Sequence, residues 1–281
     1  MEKLTSILTV ARNADDGAGL LNKVVKLARP FGARIEMMVC DPTAICAIAV
    51  HGTRLGFPGI SYSLHTSDEP IADAIQRRVR ELSSDLVVKA PASRPAWAAF
   101  GRNPSDFALA EKLPVPLLLA GERPWGSQLR FAAAVDIADR HTESFARTIL
   151  HAGGFLALGC QATLDVLYSE RESSDSTMEM ERAVTLARLV REFHLGTERM
   201  RILAGPPEES LPPELDARKF DLLALGGVSR RSGLLNSLRP LAGALVAATR
   251  GDVLLVKPED VTLRAPPLSR EQFAHQAEQF T

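Results

Sequence analysis

The chain has 281 residues, 46% of them hydrophobic and 24% charged, with a formal net charge of −1. That balance fits a soluble globular protein of about two domains, and near-neutrality removes the basic face that nucleic-acid binders carry. No apolar run reaches the roughly 18 residues needed to span a bilayer, and the opening MEKLTSILTV lacks a signal peptide's apolar core, so the expected compartment is the cytoplasm.

The run SILTVA (6–11) predicts a buried strand. A helix follows, with Leu20, Leu21, Val24, Val25 and Leu27 at helical spacing and Asp15 or Asp16 placed to cap it. ARIEMMVC (33–40) predicts a second strand and GISYSL (59–64) a third. DEPIADAIQRRVRELSS predicts an amphipathic helix with Pro70 in its first turn. DLVVKA (85–90) is a fourth strand, and a helix near 104–112 leads to a fifth, VPLLLA (115–120). Strands alternating with helices at these lengths argue for a parallel sheet with helices on both faces.

The pattern then restarts. LRFAAAVD (129–136), ATLDVLYS, ERMRILAG, FDLLALG (220–226) and DVLLVKP (252–258) predict five strands, with helices over roughly 140–158, from Ser176, near 208–219 and near 237–249. SSDLVVKA pairs with KFDLLALG, Asp85 answering Asp221 at a separation of 136, and PVPLLLAG pairs with GDVLLVKP, Val115 answering Asp252 at 137. Two copies of one unit therefore stand in tandem. They are a first domain at 1–121 and a second at 129–260, joined by the turn-rich GERPWGSQ (121–128) and followed by a tail at 261–281. The tail reads as an extended segment with one short helix, either a frayed terminus or a partner-binding arm. Both fifth strands are apolar enough to need cover, which predicts an intrachain pseudo-dimer through them; association of two full chains stays open.

Cys40, Cys46 and Cys160 form neither a disulfide framework nor paired CxxC knuckles. The six histidines show no HxxxH pair. His151 and His194 fall on predicted helices, and Glu179, Glu181, Arg182 and Arg188 read as one solvated helix face. No metal and no catalytic residue is expected.

The order of elements, with Lys89 closing the fourth strand, Pro104-Ser105-Asp106-Phe107-Ala108-Leu109 opening the next helix, the linker Arg123-Pro124-Trp125, AAVD (133–136) and KPED (257–260), resembles the universal stress protein family in its tandem, E-type form. The resemblance runs from Ser6 to about Asp260. It implies an α/β, Rossmann-like fold of two five-stranded, doubly wound parallel sheets in the order 3-2-1-4-5, with ligands at the carboxyl ends of strands 1 and 4. In nucleotide-binding members an acid ends strand 1, a backbone position on strand 2 meets adenine, and a loop Gly-x2-Gly-x9-Gly-[Ser/Thr] cradles the phosphates.

Carried over residue by residue, Asp136 takes the acid's place, Val166 the adenine contact and Gly226 the first loop glycine. Ser229 and Arg239 stand where the next two glycines would be, and Pro240, which has no N–H to offer, stands where the hydroxyl would be. A rival frame through Gly233 and Gly243 puts Arg230 at the first glycine and shortens the last helix. Arg230, Arg231 and Arg239 are either a solvated loop or an anion site without glycine geometry. In the first copy Arg12 replaces the acid, and its repulsion of Lys89 is expected to reshape the pocket mouth. Arg12, Lys89 and Arg94 with Trp97 and Phe100 would make a basic, apolar-walled cleft for a small amphipathic anion; alternatively Trp97 and Phe100 plug it as core. The Ser-Gly-Gly-x-Asp-Ser loop of related adenylating enzymes is absent after both first strands, which read ARNADDG and VDIADRH. The resemblance thus implies a non-enzymatic stress-response binding or scaffold protein with reduced or altered nucleotide binding, no required cofactor and protein partners that the sequence does not name. The alternative is a regulator that binds ATP or another adenine nucleotide, with slow ATPase activity, through the second domain.

Overall fold

The computed structural model describes residues 4–65, 69–91, 104–170, 176–226, 245, 249 and 251–258. Its first half runs β1 (Ser6–Ala11), α1 (Ala14–Ala28), β2 (Arg34–Val39), α2 (Ile45–Arg54), β3 (Ile60–Leu64), α3 (Ile71–Leu82), β4 (Leu86–Lys89), α4 (Pro104–Lys112) and β5 (Leu117–Leu119). The second half runs β6 (Arg130–Val135), α5 (Arg140–Gly159), β7 (Thr163–Glu170), α6 (Ser176–Glu192), β8 (Met200–Ala204), α7 (Pro207–Arg218), β9 (Leu222–Gly226) and β10 (Asp252–Val256).

These strands form one ten-stranded sheet in the order β3-β2-β1-β4-β5-β10-β9-β6-β7-β8. Each half contributes the order 3-2-1-4-5, all parallel, and the halves meet where β5 and β10 pair antiparallel, Leu118 opposite Leu254. A local two-fold through that pair relates the halves. It sends Leu117 to Val253, and hence Pro116 to Asp252, so the separation is 136 at the fifth strands as at the fourth; the expected pairing of Val115 with Asp252 is one residue off. The last strands are thereby interior strands. The edges of the described sheet are β3 and β8.

The cores follow from strand alternation. Leu118 and Leu254 join one apolar cluster with α1, α5 and α6, while Leu117, Leu119, Val253 and Leu255 join a second on the other face with α3, α4 and α7. Both clusters take residues from both halves, so neither half owns a separate core. Phe31 stacks on Phe155 across the junction, centroids 4.6 Å apart and planes 14° from parallel. Lys26 Nζ, on α1, donates to the linker carbonyls of Trp125 at 2.7 Å and Gly126 at 3.0 Å.

Three local expectations change. The cap of α1 is Asn13, whose side chain accepts from the Asp16 N–H, while Asp15 and Asp16 lie inside the first turn. Pro70 is the cap of α3 rather than part of its first turn. Helix α2 was not foreseen, because ICAIAVHGTR has no polar stripe to give it a helical period, and only Ile48 and Gly52 on it are buried. The loops after β4 and β9, the last helix of the second copy and the tail lie outside the described residues.

Candidate functional site

In a sheet of this order the ligand crevice opens at the carboxyl ends of the strands, where the order reverses: at β1 and β4 in the first half, and at β6 and β9 in the second.

In the first half the chain leaves β1 at Arg12. Its Nε lies 2.7 Å from Asp16 Oδ2 in the first turn of α1, with 37% of the arginine side chain exposed. Lys89 closes β4 and is buried. Its Nζ lies 2.5 Å from Asp106 Oδ1 at the start of α4 and donates to Ala90 O at 2.8 Å. The expected repulsion between Arg12 and Lys89 is therefore overturned, since each cation faces a carboxylate of its own. Nor do these two residues supply a basic rim; Lys89 instead fastens the first turn of α4 to the end of β4. Cys40 follows β2 beside them, its N–H donating to Ala11 O at 2.9 Å. Burial pushes its thiol up, against the opposing pull of Arg12 and Lys89. Trp97, Phe100 and Arg94 lie outside the described residues.

In the second half Asp136 follows β6, exposed, and accepts from the Ala138 N–H at 2.9 Å. Helix α5 begins at a capping box in which Asp139 accepts from the N–H groups of His141 at 2.7 Å and Thr142 at 2.9 Å, while Thr142 Oγ1 accepts from the Asp139 N–H. Val166 is fully buried in mid-strand, opposite Ala133 and Met200, and its side chain belongs to the core. The residues of β7 that reach the crevice end are Tyr168 and Glu170. Arg182 Nη1 lies 2.6 Å from Glu170 Oε1. Burial pushes the Tyr168 hydroxyl up; Arg182 opposes this, while Glu170 and Asp136 add to it. The expected solvated face of α6 holds at Glu179, Glu181 and Arg188, all exposed, with Arg188 also 2.7 Å from Glu143 on α5; Arg182 departs from it, being half-buried against Glu170. Glu170 and Glu143 come from other elements and leave no local trace in sequence, whereas Glu192, 3.7 Å from Arg188, is its i+4 neighbour on α6.

Gly226 ends β9, and its glycine has a packing reason. A Cβ there would stand 2.6 Å from Cε1 of Phe145, which projects from α5 over the strand end. An apolar ring thus covers the first position of the supposed phosphate loop. Ser229, Arg230 and Arg239 lie outside the described residues. Among the described residues Asp136, Asp139 and Glu170 stand at this crevice with Arg140 and Arg182.

Of the histidines, His151 is buried on α5 and His194 lies just past α6 with φ 54°. Burial pushes the Cys160 thiol up to about 12. Among the described residues no three His, Cys, Asp or Glu side chains gather as a metal site, and no described helix is long and apolar enough to cross a membrane.

No family model matches the chain. A Haemophilus influenzae Rd protein named universal stress protein E homolog is 21% identical over 205 residues, a match spanning 66% of this chain and 66% of that relative. The crystal structure of a Pseudomonas aeruginosa UCBPP-PA14 protein assigned as a universal stress protein superposes with a TM-score of 0.77 at 21% identity, over 99% of this chain and 98% of the other. A universal stress protein from Archaeoglobus fulgidus gives 0.62 at 12% identity, over 91% and 97%. These likenesses establish the tandem α/β architecture.

Proposed function

We propose, from the tandem universal-stress-protein fold that this chain carries, that it is a non-enzymatic stress-response protein of the cytoplasm that binds and scaffolds partners. On this reading it does not use its crevices to hold adenine nucleotides through a glycine loop. The observation that carries the reading is the Phe145 ring seated on Gly226, where a phosphate would need bare backbone. The paired cations of the first half support it. Among the described residues there, Lys89 and Arg12 are each held by a carboxylate, Asp106 and Asp16, which a phosphate would have to displace to reach them.

A second reading has one observation in its favour. Asp136 stands exposed at the end of β6, placed as the acid of a nucleotide site. On that reading the chain is an adenine-nucleotide-binding regulator acting through its second half. Calorimetric titration of ATP into the full chain separates the two. The scaffold reading expects no saturable heat up to millimolar ATP, and a dissociation constant in the low micromolar range would overturn it. Under the scaffold reading Phe145→Ala uncovers Gly226 and should give a saturable heat with ATP that the unmodified chain lacks; a variant as silent as the unmodified chain would show that the ring is not what keeps the nucleotide out.

A further inference from the structure

Among the described residues, the junction between the halves holds a buried ion pair, Lys23 with Asp252, that the local two-fold does not repeat. Lys23 on α1 and Asp252 at the start of β10 are 2.5 Å apart, with side chains 5% and 0% exposed. Lys23 Nζ also donates to Gly121 O at 2.6 Å, and Gly121 N–H donates to Asp252 Oδ1 at 2.9 Å. Asp252 Oδ2 has no hydrogen-bond partner among the described residues. The two-fold places Pro116 where Asp252 would recur. Counting from the helix caps Asn13 and Asp139, Ile149 stands where Lys23 would recur, and it too is buried.

The strands themselves do not discriminate between partners. Leu117–Leu119 and Val253–Leu255 are equally apolar and short, and either row could pair with a copy of itself about the same axis. Such like-on-like pairing has a different electrostatic outcome. Two second halves meeting through β10 would bury both Asp252 carboxylates against Ile149. Two first halves meeting through β5 would bury both Lys23 ammoniums against Pro116. A buried charge without its partner is strongly unfavourable, whereas the paired arrangement compensates it.

We propose that the Lys23–Asp252 pair selects the partner of the last strands: first half onto second half is the one arrangement without an uncompensated buried charge, so a second copy of the chain cannot dock like onto like. Specificity of this kind rests on penalising the wrong complex as much as on stabilising the right one.

The test uses the full chain with charges reversed one at a time. Lys23→Asp sets two carboxylates across the junction, and Asp252→Lys sets two ammoniums there. Refolded together from denaturant at pH 8, the two variants regain one ammonium and one carboxylate at every junction only by exchanging halves between chains. Native mass spectrometry of the mixture should show the heterodimer enriched roughly tenfold or more over any dimer formed by either variant alone. A mixture with no such enrichment would overturn the proposal. A second variant covers the case in which the charge-reversed chains do not refold. Lys23→Met with Asp252→Leu removes both charges and leaves an apolar junction, a replacement that buried ion pairs commonly tolerate. It should give concentration-dependent chain–chain species that the unmodified protein lacks; a mass distribution identical to that of the unmodified protein would sink the idea.

Discussion

Lys89 and Asp106 meet at 2.5 Å with 11% and 4% of their side chains exposed, so removing either leaves the other charged and nearly dry. Lys89→Met or Asp106→Leu should each cost about 3–5 kcal/mol, whereas the double replacement should recover most of that loss. Urea denaturation midpoints decide it, and additive single losses would show that the pair is not coupled. At Gly226 the conflict is steric. Gly226→Ala presses on the Phe145 ring and should destabilise by roughly 1–3 kcal/mol, partly relieved by Phe145→Leu in the same chain. His151 supplies a pH dependence. Burial lowers it to about 4 from 6.5. The unfolded chain takes up a proton as pH falls past 6.5, and the folded chain does not until about 4. Stability is therefore full above 6.5 and is lost on the way down to about 4, by up to about 1.4 kcal/mol per pH unit. Burial pushes Asp252 the other way, up to about 6 from 3.8 with Lys23 opposing, so its contribution falls as pH rises through that window. His151→Leu should therefore flatten the acid limb of the stability curve between pH 6.5 and 4; an unchanged slope would place the proton uptake elsewhere.

Between elements, the aspartates that open β4 and β9 do the same work twice. Asp85 Oδ2 accepts from the Thr5 N–H, the Thr5 hydroxyl and the Ser6 N–H, clasping the start of β1 to the start of β4. Asp221 Oδ2 accepts from the Arg130 N–H and clasps β6 to β9. Asp85→Ala should cost roughly 2–3 kcal/mol and Asp221→Ala nearer 1–1.5 kcal/mol, in line with three bonds against one. Equal losses by chemical denaturation would mean that the clasps are not the cause. These two residues are also where the repeat was legible in sequence, because a structural duty tied to one position survives divergence of the surrounding surface. The strands were legible for a similar reason: runs such as SILTVA and DLLALG are apolar on both faces and bounded by turn formers, as interior parallel strands must be. What stayed hidden depends on distance along the chain. Lys89 finds Asp106 seventeen residues on, Arg182 finds Glu170 from a different element, and Phe145 reaches Gly226 only once α5 packs on β9. The slip of one residue at the fifth strands has the same origin: both apolar runs align nearly as well in either register, and only the ladder fixes Leu118 against Leu254.

At the scale of the whole molecule, one sheet and two shared cores make the halves a single folding unit. Thermal or urea unfolding should give one transition that coincides by far-ultraviolet circular dichroism and tryptophan fluorescence. Two separated transitions would show that each half holds its structure alone. Residues 129–281 expressed alone would expose the apolar β10 edge, and should precipitate or aggregate irregularly rather than form a defined β10-to-β10 dimer, which Asp252 disfavours; a monodisperse monomer would refute that expectation. The local two-fold at Leu118 and Leu254 also bears on how such a chain can change over generations. In a dimer of identical subunits every substitution is made twice, and a residue near the axis meets its own image, so an opposite-charge pair on one side alone cannot arise. Fusion of two copies into one polypeptide lifts that restriction. One half can place Arg12 where the other keeps Asp136, or Lys89 where the other has Leu225, and each half is free to drift toward a different employment while its sibling continues to hold it folded.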